Sequence, residues 1–195
     1  MRRPLIALAV LLLPLFAAEA ARADETAGRC EARVIEQPFA AFDDAADYFL
    51  APDGDLSAGG AGWDLGSAEV VGENEPWNVH GSAFDAALRI GAGASAATPT
   101  ICVADTDPTM RFFARGDGGG ALQVDVLYTD ELGEPQSLTI GTLEGDGEWA
   151  PSPALPITAN TYEMAVAFRF TALGDGDWTV DDVYIDPYRK GRPAA

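Results

Sequence analysis

The sequence predicts an all-β domain of sandwich or barrel type. After the first two dozen residues no run keeps a helical period; short alternating or β-branched runs recur instead, separated by Gly, Pro and Asp. No internal repeat stands out. The strands expected in order are 46–50, 63–71, 87–90, 100–103, 109–115, 121–129, 136–143, 164–171 and 178–185. Between them lie Pro52-Asp53-Gly54 and the stretches 116–120, 130–133, 145–147 and 174–176, all rich in residues that accept turn geometry.

Side chains alternate between the two faces of a strand, so register is legible in the clearest runs. Leu122, Val124, Val126 and Tyr128 point one way, with Gln123, Asp125 and Leu127 opposite. Val166, Phe168 and Phe170 make an inner row against Ala167, Arg169 and Thr171. Met110, Phe112 and Ala114 oppose Arg111, Phe113 and Arg115. Each strand thus has an apolar inner face and a mixed outer one.

The first 23 residues are expected to be a cleavable export signal. Arg2 and Arg3 begin it, an apolar run follows from Leu5 to Phe16, and two overlapping A-x-A sites, Ala18-Glu19-Ala20 and Ala21-Arg22-Ala23, end it. That run is shorter than the ~20 apolar residues a membrane-spanning helix needs. Cleavage after Ala23 leaves a polar start at Asp24 and a secreted, extracellular chain with no membrane insertion.

From Asp24 onward there are 9 basic and 30 acidic residues, a net charge of −21. Such a charge excludes nucleic acid as a partner and disfavours anionic membrane surfaces. Cys30 and Cys102 are the two cysteines. In an oxidising compartment such a pair is expected to form a disulfide, tying an N-terminal extension (24–45) to the middle of the chain. A zinc site is disfavoured, because the single histidine, His80, lacks the ligand spacing.

Two end motifs carry a family resemblance. Near the start stand Leu50-Ala51-Pro52-Asp53-Gly54-Asp55-Leu56 and then Gly62-Trp63; near the end stands Trp178-Thr179-Val180-Asp181-Asp182-Val183-Tyr184-Ile185. The chain resembles the galactose-binding-like domains shared by many carbohydrate-binding modules, over residues 46–188. It is also similar to a group of secreted bacterial proteins of unassigned function. The resemblance implies an antiparallel β-sandwich of the jelly-roll kind, a single domain followed by a C-terminal tail (189–195). It further implies a structural calcium, with Asp55 and Asp182 at the positions of its carboxylates; here Asp53 and Ser57 depart from the family pattern. Read without a metal, these aspartates are turn and strand-edge residues.

Catalysis has little support in the sequence. With so many carboxylates, some pair always falls at the separation a glycosidase uses, so that signal decides nothing. Asn78-Val79-His80-Gly81-Ser82 has no nucleophile-elbow form. No phosphate loop, zinc-protease motif or dinucleotide fingerprint appears. Sugar binding has better material, since a sugar ring needs a flat aromatic surface and polar partners for its hydroxyls. Trp77 and Trp149 sit beside turn-formers, whereas Trp63 and Trp178 belong to the end motifs and to the core. Arg111, Arg115, Gln123, Asp125 and Arg169 are expected on an outer face, either gripping a glycan or pairing with one another. The expected function is a secreted, non-catalytic glycan-binding module, with a structural or protein-interaction sandwich and a glycan-acting hydrolase as alternatives.

Overall fold

The computed structural model describes residues 30, 33–81, 85–157 and 163–187. The export segment 1–23, Ser82 and the basic tail residues Arg189, Lys190 and Arg192 lie outside them. Among the described residues twelve strands are formed: β1 (Phe49–Leu50), β2 (Glu69–Val71), β3 (Ala87–Ile90), β4 (Ser95–Ala97), β5 (Ile101–Ala104), β6 (Thr109–Gly116), β7 (Gly120–Thr129), β8 (Pro135–Glu144), β9 (Ala150–Pro151), β10 (Leu155–Pro156), β11 (Glu163–Gly174) and β12 (Trp178–Asp186). Among the described residues the helical content is one 3-10 turn, Ala40–Phe42.

All pairings are antiparallel, and they build two sheets. The first runs β10-β6-β12-β3-β2, with β1 added to β12 and β9 to β6. The second runs β4-β11-β7-β8, with β5 added to β11. The inner rows read from the alternation meet between them: Met110 and Phe112 from the first sheet, Val124, Phe168 and Phe170 from the second, all buried in one cluster. Phe112 and Phe170 touch edge to face at 5.1 Å across the sheets. Fully burying a side chain of this size contributes about 2–3 kcal/mol. Trp63 and Trp178 are both core residues, as their place in the end motifs implied. The chain is thus an all-β antiparallel sandwich of the jelly-roll kind.

Two expectations change. The strand expected over 63–71 is confined to β2, and residues before it turn, with Gly62 and Gly66 at positive φ and Ala68 N–H bonded to the Leu65 carbonyl. Only an isolated bridge, Asp64 to Ala97, survives there. The second change concerns Phe113, which alternation places on an outer face but which is fully buried. Residues of the N-terminal extension cover it. Phe39 stacks on Phe113 at 5.1 Å and meets Tyr48 and Tyr184 edge-on, making a small second core outside the first sheet.

Candidate functional site

The outward residues fall on two surfaces. Arg111 and Arg115 stand on β6 of the first sheet, whereas Gln123 and Asp125 stand on β7 and Arg169 on β11 of the second. Since the core lies between the sheets, these two sets face opposite sides of the molecule. The single outer face expected for all five is therefore corrected to two. Alternation tells that a side chain points away from the core, and is silent on which sheet carries its strand.

On the first sheet Arg111 is covered. Its guanidinium lies over the Phe39 ring at 4.3 Å, donates to Asp44 (2.5 Å) and to the Ser152 carbonyl (2.9 Å), and leaves 11% of the side chain exposed. Asp44 also accepts from the Tyr48 hydroxyl at 2.7 Å. Arg111 is thus a clamp on the N-terminal segment. Arg115 pairs with Glu73 and Asp117 and lies 5.6 Å above the Trp149 ring. Trp149 packs against the small outer core. Trp77 joins the same side, edge-on to Phe42 at 4.7 Å, and is 41% exposed. Both tryptophans therefore accompany Arg111 and Arg115, far from Arg169.

On the second sheet the remaining three residues meet. Asp125 and Arg169 are cross-strand partners, and Asp125 accepts from Arg169 Nε (3.1 Å) and Nη2 (2.7 Å), Thr139 Oγ1 (2.6 Å) and Gln123 Nε2 (3.0 Å). Arg169 Nη2 also donates to Ser137 Oγ at 3.0 Å. Burial raises the Asp125 pKa, but the bonds from Thr139, Arg169 and Gln123 outweigh it, and the carboxyl stays below its ordinary range. Beside this cluster the outward residues of β11 shrink to Ala165 and Ala167. A groove of about 630 Å³ results, running past Thr100, Leu127, Gln136, Ser137, Ala167 and Arg169. Arg169 is 38% exposed at its side chain, so its guanidinium is held by Asp125 and still open to the groove.

A third cluster sits where the opening loop docks on the last strand. Ala51 N–H bonds to the Val183 carbonyl and Val183 N–H to the Gly54 carbonyl. The approach is close enough that a Cβ on Gly54 would fall 2.7 Å from the Val183 oxygen. This docking brings Asp55 towards Asp182, which lies at the β12 bulge with φ of 52°. Asp55, Glu75, Asp181 and Asp182 are all buried. Glu75 accepts from Trp77 N–H and Val79 N–H, and Asp181 from Asp182 N–H, but Asp182 Oδ1 has no partner. Burial, then the Asp182 charge, pushes the Asp181 pKa up to about 9. Burial, then the charges of Glu75, Asp55 and Glu36, pushes that of Asp182 up to about 8. Among the described residues no three His, Cys, Asp or Glu side chains are grouped to hold a metal ion. His80 borders this cluster, 3.5 Å from Asp55 and 3.2 Å from the Tyr184 hydroxyl.

Cys30 and Cys102 form the disulfide expected of them. Thr100 and the alanines of the groove were not anticipated, because small residues that leave space carry no motif. Fold and surfaces together define a jelly-roll sandwich with an open groove on one sheet, lined by both apolar and polar residues. Among solved structures the chain is similar to the N-terminal CBM22-1–CBM22-2 tandem domain from Paenibacillus barcinonensis, with a TM-score of 0.53 and 13% identity over 77% of this chain and 49% of that one. It is also similar to the CBM22-1 and GH10 modules of a Clostridium thermocellum endo-1,4-beta-D-xylanase complexed with xylohexaose, with a TM-score of 0.52 and 20% identity over 72% of this chain and 28% of that one. The chain thus spans less than half the length of either. At this identity the likeness is one of fold alone: the chain shares with these modules an antiparallel β-sandwich of the jelly-roll kind. No family model and no curated protein matches it.

Proposed function

We propose that the chain is a secreted, non-catalytic glycan-binding module whose ligand lies in the groove of the second sheet. The observation that carries this reading is Arg169, oriented by Asp125 and open to a trough floored by Ala165 and Ala167. With Nε and Nη2 held by Asp125 and Ser137, an arginine so fixed can direct its Nη1 donors at hydroxyl oxygens without first ordering its own side chain. The carboxylate beneath neutralises it, and the net charge of −21 from Asp24 onward repels polyanions, so the favoured ligand is a neutral polysaccharide. The carbohydrate-binding modules of the same fold support the assignment, and the Cys30–Cys102 disulfide supports an oxidising, extracytoplasmic compartment. The test is a glycan array followed by calorimetry on neutral polysaccharides. Arg169→Ala should weaken binding at least tenfold and Ala167→Trp, which fills the trough, should abolish it. Retention of full affinity in both variants would sink the groove as the site.

A structural calcium at the loop-to-strand junction is proposed as part of the same module. The unpartnered, buried Asp182 Oδ1 supports it, as do the like charges gathered around it. Asp55 and Asp182 would supply two carboxylates, and backbone carbonyls and water would complete the six to eight oxygens the ion takes. Its contribution would be to offset repulsion among groups that the fold has already buried.

A further inference from the structure

One edge of the second sheet is β8. The strand pairs with β7 on one side, and among the described residues no further strand lies on the other. Asp130 N–H bonds to the Glu134 carbonyl across the turn that joins β7 to β8. Antiparallel pairs alternate from there, so Gln136 and Leu138, opposite Tyr128 and Val126, direct their N–H and C=O groups to β7. Pro135, Ser137 and Thr139 direct theirs outward, and Pro135 has no N–H to leave unpaired. Ser137 and Thr139 each present one donor and one acceptor to solvent, on either side of Leu138.

Exposed edges are ordinarily blunted by charge, by proline or by a bulge. Here charge is absent: from Pro135 to Leu143 the strand carries none, in a chain whose net charge is −21 from Asp24 onward. Proline and bulge stand at the two ends of the exposed stretch, at Pro135 and at the register shift past Thr139, and leave the residues between them open. Leu138 adds an apolar group. It lies on the inner row opposite the buried Val126, but Leu155 of the first sheet packs over Gly141 further along, and Leu138 remains 42% exposed.

We propose that β8 is the docking edge for a second copy of this chain, paired antiparallel about a two-fold axis through Leu138. The occupant follows from the symmetry of the edge and from its charge. In that register Ser137 of each copy faces Thr139 of the other, and all four free N–H groups meet carbonyls. The two Leu138 side chains meet at the axis in a non-hydrogen-bonded pair, with Cα atoms about 4.5 Å apart. An uncharged strip is also where two copies of so acidic a chain approach with least repulsion. The axis is normal to the sheet, so the two second sheets become one continuous sheet with both grooves on the same face. The two Arg169 side chains, on β11 of each copy, are then five strand spacings apart, about 24 Å across the sheet. Where the grooves bind glycan, as read above, a dimer so built holds one polysaccharide at two points. The dimer itself does not depend on that reading.

The test is sedimentation velocity on the purified protein without sugar, at loading concentrations up to about 1 mM, because so short an edge falls below the standard interface size and associates reversibly. A monomer-dimer equilibrium is expected. Leu138→Lys sets two cations against each other at the axis and should weaken dimerisation at least tenfold at an unchanged melting temperature. Register is read by mild oxidation of two cysteine variants. Leu138→Cys lies within disulfide reach of its copy and should cross-link at least tenfold faster than Leu132→Cys, which is 87% exposed at the original leucine but sits in the turn. A monomer at every concentration, a Leu138→Lys protein that dimerises as the parent does, or equal cross-linking of the two cysteine variants overturns the proposal. Any of these failures leaves the groove reading standing, since no sugar is present.

Discussion

Asp125 and Arg169 face each other directly across β7 and β11, and two of the guanidinium nitrogens converge on one carboxylate oxygen, Oδ2. The pair is asymmetric: the acid is buried and the base reaches the groove. Asp125 therefore acts as the anchor and Arg169 as the presented group. Asp125→Ala should remove that anchor and strand the Thr139 and Gln123 partners, lowering stability by about 2 kcal/mol, as read by urea unfolding. The sign with pH follows from the depressed pKa. The contribution of Asp125 is complete above the ordinary carboxylate range and disappears as pH falls through its lower, folded value. Acid unfolding of Asp125→Asn should accordingly be less steep than that of the parent.

Arg111 is predicted to behave in the opposite manner, although it too is a mid-strand arginine. It holds Asp44, the Ser152 carbonyl and the Phe39 ring at once, from a largely buried position. Arg111→Ala should cost about 3 kcal/mol by leaving these groups without a partner. Oligosaccharide affinity of the folded variant should not change. A Arg111→Ala protein with native stability and lost affinity would show that the wrong sheet has been assigned to binding.

This contrast shows what could be read from the sequence. Arg111 and Arg169 sit in the same kind of alternating strand, Met110 to Ala114 and Val166 to Phe170, and the inward rows of both are buried as the period of two requires. Their separation onto different sheets depends on pairings far along the chain: β6 lies against β12, and β7 against β11. Local pattern does not encode those partners. Phe113 is a related case, since its burial is supplied by Phe39 and Phe42 from a segment whose residues, read alone, suggested only an extension. The approach of Asp55 to Asp182, in contrast, was implied by the family resemblance that the two end motifs carry. The groove was illegible because its main feature is the smallness of Ala165 and Ala167.

The disulfide should matter for stability. It joins residues 72 apart, and closing a loop of that length in the unfolded chain contributes about 4 kcal/mol in the chain-entropy treatment. Replacing Cys30 and Cys102 by serine should lower the free energy of unfolding by a margin of that order, measured by urea unfolding.

Calcium binding gives a prediction in which pH and metal oppose each other. Asp181 and Asp182 have folded pKa values of about 9 and about 8, raised first by burial and then by the carboxylates beside them. A raised carboxyl pKa means that the folded state holds its proton where the unfolded chain has lost it. The stabilising effect is complete below the ordinary carboxylate range and is lost progressively as pH climbs toward 8 and 9. In EDTA the protein should therefore become less stable from mildly acidic to mildly alkaline pH. Calcium should reverse that trend, since the ion needs the same oxygens deprotonated and binds better as pH rises. Asp182→Asn should flatten both dependences: less repulsion in EDTA, and little or no gain in melting temperature with calcium. Equal melting curves for the parent protein in EDTA and in excess calcium across this range would remove the case for the metal and leave Asp182 as a buried acid that is protonated in the fold.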